Sequence, residues 1–181
     1  MLNDLIKKAG AKVEMSEVVK DDKNSLKLFL SKALKNSDVV ISSGGISMGR
    51  YDYVRDVLIE LGVEEHFWKV AQKPGKPLFF GTKEKKIIFG LPGNPVSSFI
   101  GFMEWVWPVL KDIVGEKSRE TIYGILEEPF PREKKKHRFL FGEVKYRNNR
   151  LVCSSTSRIG SHMLTSALGA NCILESSPGN T

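Results

Sequence analysis

Three lysines and one aspartate are candidate residues for catalysis and anion binding in this sequence. Lys69, Lys73 and Lys76 lie close together, at the end of a candidate strand and in the loop after it, so they could converge on one anion. Asp52 follows a glycine pair and could hold a metal ion. Together they suit a magnesium-assisted transfer of a phosphoryl group or an oxyanion. Taken singly, the lysines could be surface residues and Asp52 a helix cap.

A glycine-rich loop could supply the phosphate-binding backbone for such a reaction. Gly44 and Gly45 follow a short apolar run and allow the main chain to approach a ligand without a side chain in the way. Ser43 and Ser47 add hydroxyl groups on either side. An ordinary tight turn is the alternative reading of the glycine pair.

A second loop, with the sequence GLPGNP, precedes a predicted helix. Asn94 is a good N-cap and Pro95 suits the first helical position. The first turn, which includes Ser97, leaves backbone N–H groups pointing outward, as an anion site requires. Pro92 and Gly93 complete this loop, which could also be no more than a helix start.

The elements around these loops follow a strand, loop, helix order. A buried strand is predicted from Val39, and Val54, Val57, Leu58 and Leu61 form one face of a helix that Gly62 ends. The glycine loop then lies at the carboxyl end of a strand, where open α/β sheets bind ligands. Helices with apolar faces are also predicted from Leu2 and, after a cap at Asp21 or Asp22, along Leu26 to Leu34. A short strand fits 12–15. We expect a first strand upstream of Leu2, so that this chain is a fragment.

The second half of the chain changes from mixed α/β patterns to short strands. A hairpin is predicted around the KEKK turn at 83–86, and the helix that starts at Pro95 should kink or end at Pro108. Beyond Gly115 the predicted strands are 122–126, 138–146 and 150–153. The pattern therefore predicts an α/β domain over 1–117 and a small, mainly β domain over 118–181.

Composition narrows the classes of partner. The net charge of +7 favours anions, but the basic clusters at 83–86 and 132–138 are typical of solvated hairpin tips and lack the aromatic residues of a nucleic-acid groove. No apolar run approaches the roughly 20 residues of a membrane helix, and the N-terminus lacks a signal-peptide core. These patterns predict a cytoplasmic protein with no nucleic-acid or membrane partner. Cys153 and Cys172 are expected to be reduced and structural.

Three motifs carry a resemblance to a known family. SSGGISMGRYDYV, FWKVAQKPGKPLFFG and FGLPGNPVSS occur in the order found in the MoeA family of molybdopterin molybdenumtransferases, which is similar to the E domain of gephyrin. GSHMLTSALGAN resembles the C-terminal domain of that family. The resemblance implies a MogA-like three-layer α/β domain with a mostly parallel sheet, followed by a small β-barrel-like domain, in a homodimer.

The resemblance also implies a reaction and a set of roles. The family inserts molybdate into adenylylated molybdopterin with Mg²⁺ and releases AMP, as a step of molybdenum cofactor biosynthesis. Ser43, Gly44, Gly45 and Ser47 would contact the pterin or its phosphate, and Asp52 would be catalytic and bind the metal. Lys69 and Lys73 would be catalytic and hold molybdate or the pyrophosphate link, with support from Lys76. Another wall of the cofactor pocket is expected to consist of Pro92, Gly93, Asn94, Pro95 and Ser97.

The sequence departs from the family at two points. Arg50 stands where the family usually has an acidic residue, and the upstream TGDEL loop is absent. Because the family's active site borrows residues from the partner subunit, one hypothesis is that the isolated chain binds its substrate without turnover. Two alternatives stay open: a molybdopterin adenylyltransferase, which is also a possible partner, and a non-catalytic scaffold of the gephyrin type. Molybdate and tungstate both stay open as the oxyanion.

Overall fold

The computed structural model describes residues 1–47, 52–118, 120–130, 133–156 and 167–179. The helices in these ranges are α1 (Leu2–Lys8), α2 (Lys23–Asn36), α3 (Val54–Glu60), α4 (Pro95–Gly101) and α5 (Trp107–Ile113). The strands are β1 (Val39–Ser43), β2 (Glu64–Phe67), β3 (Gln72–Lys73), β4 (Phe79–Lys83), β5 (Lys86–Leu91), β6 (Ile125–Leu126), β7 (His137–Arg147), β8 (Arg150–Ser155) and β9 (Cys172–Ser176).

The first half of the chain builds a sheet with helices on both faces. Its strand order is β1-β5-β4-β2. Val40, Phe79 and Ile88 pack on one face against the buried residues of α2 and α3. Phe89 and Leu91 pack on the other face with α1, α5 and the segment between α4 and α5. The predicted three-layer α/β architecture is therefore confirmed.

The strand directions differ from the prediction. β1 and β5 are parallel, whereas β2 with β4 and β4 with β5 are antiparallel. The expectation of a mostly parallel sheet is wrong for the described strands. The reason is local: β4 and β5 are joined by a two-residue turn, and a tight turn of this kind reverses the chain, whereas a parallel pair needs a long crossover. The predicted hairpin around the KEKK turn is confirmed.

Pro108 does not end the helix that starts at Pro95. α4 passes into a π-helical turn, Phe102–Val106, and the chain continues as α5. Proline lacks the N–H of the α-helical ladder and its ring crowds the preceding turn, and π-helical turns are a known way for a helix to absorb such a break. The predicted interruption is present just before Pro108, and the helix then resumes.

The second half forms a curled half-barrel of five strands in the described residues. β7 pairs with β8 and β9 along most of its length, while β6 pairs with β8. The predicted strand over 122–126 is reduced to β6, and the sequence patterns missed β9. The remaining member is β3, which pairs in parallel with the start of β7 and brings a part of the first half into the second sheet.

A core cluster also joins the two halves. Val96 and Ile100 of α4 are buried together with Phe139 and Phe141 of β7. The Phe99 and Phe141 rings lie 5.5 Å apart between centroids, within the range of a favourable aromatic pair. The helix that follows the PGNP loop is thus held by side chains of the second sheet.

Residues 12–15 are not a strand. The segment from Ala11 to Lys20 has no regular structure, and a cavity of about 880 Å³ is lined by it and by β1. A strand needs a hydrogen-bonded neighbour, and none of the described strands pairs with this segment. Met15 and Val19 instead pack against the α2 cluster.

Other predictions have mixed outcomes. The cysteines are free thiols, as expected, and burial raises the pKa of the Cys153 thiol. Arg132 of the basic cluster, Arg50 and the GSHM motif at 160–163 lie outside the described residues. None of the helices in the described ranges combines the length and apolar composition that a bilayer-spanning helix requires.

Candidate functional site

The glycine loop and the PGNP loop lie side by side at one edge of the first sheet. The cause is the parallel pairing of β1 with β5, which sets Ser43 opposite Leu91, so that both strands end at the same edge. The hydroxyl of Ser43 donates to the carbonyl oxygen of Pro92 at 3.3 Å and lies 3.4 Å from the Ser98 hydroxyl. A Cβ added to Gly93 would lie 3.5 Å from Cα of Gly44. Two of the three predicted motifs therefore meet.

The glycine loop is fixed by its backbone. The N–H of Gly44 donates to the carbonyl of Leu91 at 2.9 Å, and the carbonyl of Gly45 accepts from the N–H of Val54 at 3.1 Å. Gly45 has a φ of +70°, and a Cβ there would lie 2.5 Å from the Val54 side chain. Glycine is thus required at this position for both its conformation and the space it leaves.

Asn94 begins α4 as predicted. Its side-chain oxygen accepts from the Ser97 N–H at 3.1 Å and from the Ser97 hydroxyl at 3.2 Å. Pro95 occupies the first turn. Ser97 and Ser98 are 7% and 1% exposed, so the start of the helix is packed into the protein while Gly93 and Pro95 are exposed beside the glycine loop.

The KPGKP loop packs against the first turn of α4. Gly75 has a φ of +89°, and a Cβ there would lie 3.3 Å from the carbonyl oxygen of Ser97 and 2.8 Å from Nε2 of Gln72. Gln72 is 3% exposed; it accepts from the Trp105 indole N–H at 2.8 Å and donates to the carbonyl of Pro74 at 3.2 Å. The third motif is therefore joined to the second through α4.

Lys69 lies over the ring of Trp68. Its ammonium nitrogen is 4.0 Å from the ring centroid, and the guanidinium carbon of Arg55 is 4.4 Å from the same centroid. Both distances are those of cation–π contacts. The indole N–H of Trp68 donates to the carbonyl of Ile46 in the glycine loop at 2.6 Å. Lys69 is thereby linked to the glycine loop through its neighbour in sequence.

Arg55 is held in turn by Glu65. Two nitrogens of the guanidinium donate to the two carboxylate oxygens at 2.6 and 3.0 Å, the forked geometry that favours arginine. This hydrogen bonding raises the pKa of the Arg55 guanidinium above its ordinary value. The positive charge over Trp68 is therefore permanent.

Lys73 and Lys76 do not share the position of Lys69. The ammonium of Lys73 forms an ion pair with Glu133 at 2.6 Å, and Arg138 contacts the same carboxylate oxygen at 3.1 Å. The hydrogen bond from Lys73 holds the pKa of Glu133 below its usual range. Lys76 is exposed, and its carbonyl accepts from the Val70 N–H at 3.0 Å. Lys69 and Lys73 therefore contact different side chains in the structure, and their convergence on one anion stays a prediction.

Asp52 and Ser47 flank the four residues of the loop that the structure leaves undescribed. Asp52 is half-buried and Ser47 is exposed. Within the described ranges there is no group of three or more His, Cys, Asp or Glu side chains that could hold a metal ion. A metal at Asp52 would need most of its ligands from water or a bound phosphate, which is the usual coordination of Mg²⁺.

Two further side chains lie at this edge. Ser98 lies beside Ser43, and Trp68 joins Lys69 to the glycine loop. The position of Ser98 beside Ser97, in the first turn of the predicted helix, was available from the sequence. The role of Trp68 was not, because its contacts depend on how the end of β2 folds against a loop over twenty residues upstream.

The fold is that of an α/β domain, in which the glycine and PGNP loops share one edge of the sheet, joined to a small β domain. The chain belongs to the family described as "probable molybdopterin binding domain", whose model matches residues 1–112, and residues 123–181 match the MoeA C-terminal region, domain IV.

Several relatives of this chain are named molybdopterin molybdenumtransferase. A molybdopterin molybdenumtransferase of Nostoc sp. is 43% identical over 114 residues, which cover 61% of this chain and 26% of the relative. That of Haemophilus influenzae is 34% identical over 160 residues, 85% of this chain and 39% of the relative. The crystal structure of a molybdopterin biosynthesis MoeA protein from Pyrococcus horikosii matches with a TM-score of 0.75 and 31% identity, over 97% of this chain and 42% of that one. The chain thus spans less than half the length of these relatives.

Proposed function

We propose that this chain acts in molybdenum cofactor biosynthesis as a molybdopterin molybdenumtransferase, which inserts molybdate into adenylylated molybdopterin and releases AMP. The observation that carries the proposal is the meeting of the glycine loop with the PGNP loop at the carboxyl ends of β1 and β5. Its family membership and the names of its relatives support the same substrate.

In this proposal the edge of the sheet binds the pterin and its phosphate. Ser43, Gly44, Gly45 and Ser47 contact these groups on one side. The other wall is formed by Gly93, Asn94 and Pro95, with Pro92 and Ser97 buried behind them. Because residues 43–45 and the PGNP loop are held by backbone and serine hydrogen bonds, these parts of the site are organised before the ligand arrives, which lowers the cost of binding.

The cations have different tasks. Lys69, held over Trp68, neutralises molybdate or the pyrophosphate link, since charge on oxyanions must be balanced where bonds to them break. Lys73 is engaged by Glu133, so an anion would have to displace that carboxylate to use it. Lys76 supports the loop from its exposed position.

Asp52 is the proposed metal ligand. One carboxylate beside a phosphate-binding loop is compatible with Mg²⁺, which keeps several waters and shares substrate oxygens. When bound, the ion would neutralise charge on the phosphoanhydride.

We also propose a homodimer, a cytoplasmic location, the division into domains at 1–117 and 118–181, and contact with molybdopterin adenylyltransferase for substrate delivery.

The test is AMP release from adenylylated molybdopterin in the presence of molybdate and Mg²⁺, with substrate binding measured beside it. Asp52→Asn and Lys69→Ala should lower release at least tenfold, which corresponds to about 1.4 kcal/mol of transition-state stabilisation. Lys85→Ala, an equal loss of charge in the exposed turn before β5, should leave release unchanged. A folded chain that neither binds nor cleaves the substrate would contradict the proposal. Binding without AMP release would indicate that catalysis requires segments that the longer relatives have beyond the matched region.

A further inference from the structure

Trp68 makes contacts that neither core packing nor the proposed reaction explains. Its side chain is partly buried against the α2 and α3 core, which apolar packing alone would account for. Its indole N–H, however, is aimed at a main-chain carbonyl of the glycine loop, and two cationic side chains lie over its ring. A partly buried indole N–H needs an acceptor, but core packing alone does not require that the acceptor lie in the glycine loop or that two cations lie over the ring.

The hydrogen bond from the indole fixes the orientation of one peptide unit. The carbonyl of Ile46 points at the Trp68 indole, and the peptide bond between Ile46 and Ser47 is not among the cis bonds of the structure. In a planar trans peptide the C=O and the N–H point in opposite directions. The Ser47 N–H is therefore turned away from Trp68.

The preceding peptide unit is fixed in the same way. The carbonyl of Gly45 accepts from the Val54 N–H, so the N–H of Ile46 points away from α3. Meanwhile the Ile46 side chain is 1% exposed and Ser47 is exposed, which anchors one side of this backbone in the core. The two carbonyls are therefore engaged by other parts of the chain, and successive backbone N–H groups in a turn are the arrangement that can bind an anion.

The ring of Trp68 is one of the contacts that position the neighbouring cation. Lys69 has a long flexible side chain, and contact with the ring restricts where its ammonium lies. The ammonium is 4.0 Å from the centroid of a ring whose indole N–H is bonded to the glycine loop. The Trp68 side chain therefore contacts both the loop backbone and the lysine.

We propose that Trp68 is a positioning residue for the oxyanion and phosphate site, acting through two separable contacts: the indole N–H orients the Ile46–Ser47 peptide, and the ring seats Lys69. The inference rests on the proposed function for the identity of the anion, while the contacts themselves rest on geometry. Trp68→Phe removes the N–H and keeps a ring, whereas Trp68→Leu removes both.

The first measurement needs no ligand. Amide hydrogen exchange in peptides that cover residues 44–47 and Val54 should be faster in Trp68→Phe than in the unaltered chain, with exchange unchanged in α5 and β7, which belong to other core clusters. Trp107→Phe is the matched control, because Trp107 also carries a cation–π contact, from Lys111 at 5.3 Å, but lies on α5. Equal exchange at 44–47 in Trp68→Phe and the unaltered chain would overturn the proposal, whether or not the proposed function holds.

The second measurement separates the two contacts by a double-mutant cycle on molybdate affinity, measured by calorimetry. Trp68→Phe should weaken binding about fivefold, the loss expected for one hydrogen bond, in both the Lys69 and the Lys69→Met backgrounds. The additional loss in Trp68→Leu, about threefold for an exposed cation–π contact, should disappear in Lys69→Met. If Trp68→Phe and Trp68→Leu each lose the same molybdate affinity in both backgrounds, the Trp68 ring does not position Lys69. If the unaltered chain binds no molybdate, the proposed function fails in that respect and the exchange result alone decides the role of Trp68.

Discussion

At the scale of single residues, the glycine loop depends on Gly45 more than on any serine beside it. Its φ of +70° is unfavourable for a residue with a Cβ, and the space where a Cβ would stand is occupied by Val54. The first turn of α3 therefore packs directly on the loop backbone. Any side chain at this position must move either the loop or the helix.

Gly45→Ala should destabilise the fold and weaken ligand binding at the loop. Gly115→Ala is the matched control, because Gly115 has a φ of +74° with nothing within 4 Å of an added Cβ. We expect about 1 kcal/mol for the control, from conformation alone, and on the order of 3 kcal/mol for Gly45→Ala, since overpacking is added. Urea unfolding of both variants tests this, and equal losses would show that the contact with Val54 is relaxed at little cost.

At the scale of elements, α4 joins all three motifs. The PGNP loop caps its first turn, the KPGKP loop packs on Ser97, and Ser98 lies beside Ser43 at the end of β1. The direction of α4 therefore sets the distance between the walls of the candidate site. Its cap is the point at which a small change would move several of these contacts.

Asn94→Ala should cost about 1 kcal/mol of folding stability, the usual loss for an N-cap, and should also weaken binding of adenylylated molybdopterin. Asp22→Ala removes the equivalent cap of α2, where the carboxylate accepts from the Ser25 N–H at 2.9 Å, and should leave binding unchanged. Thermal unfolding and a binding titration on both variants provide the comparison. If the two variants bind alike, the position of α4 is not set by its cap.

The elements also show what the sequence could predict. The helix start and stop signals at Asp22, Gly62 and the Asn94-Pro95 pair predict the helix ends to within a few residues. The helices of the structure begin or end beside these residues. The pairing of β3 with β7 joins Lys73 to Arg138, far apart in sequence, and a two-residue strand has no pattern of its own. For the same reason the sequence patterns did not identify Glu133, 60 residues further along the chain, as the ion-pair partner of Lys73.

At the scale of the whole molecule, the second sheet packs against α4 and pairs with β3, which both flank loops of the candidate site. Phe139 and Phe141 bury Val96 and Ile100 of α4, and Glu133 holds Lys73 at the end of the β3 pairing. The small β domain is thus a support for α4 and for the KPGKP loop. Its removal would leave a large apolar surface on α4 in water.

Phe141→Ala should therefore affect both halves of the molecule. Truncation of a buried phenylalanine costs about 3–5 kcal/mol, and the Phe141 ring also packs on the Phe99 ring of α4. We expect faster hydrogen exchange in α4 as well as in β7. Tyr146→Ala, an exposed aromatic residue on the same strand, is the control and should change neither. Exchange that increases in β7 alone would show that the two halves are independent.

The Lys73–Glu133 ion pair should make the link between the halves sensitive to acid. Its hydrogen bond lowers the folded-state pKa of Glu133, so its contribution is complete above the ordinary glutamate value of about 4.3 and is lost as pH falls through the lowered value. Glu133→Gln should flatten this part of the stability profile below about pH 4.3. Unfolding by urea at a series of pH values measures it, and parallel profiles for both proteins would contradict the ion pair.

The edge shared by the glycine and PGNP loops is the proposed binding site of the pterin substrate. Calorimetric titration of the chain with adenylylated molybdopterin, in magnesium buffer without molybdate, measures this binding, with Gly45→Ala, Lys69→Met and the control Lys85→Ala beside the unaltered chain. We expect saturable binding of one ligand per chain, weakened by at least fivefold in the first two variants and unchanged in the third. No binding by the folded chain, or binding that all three variants retain unchanged, would contradict it.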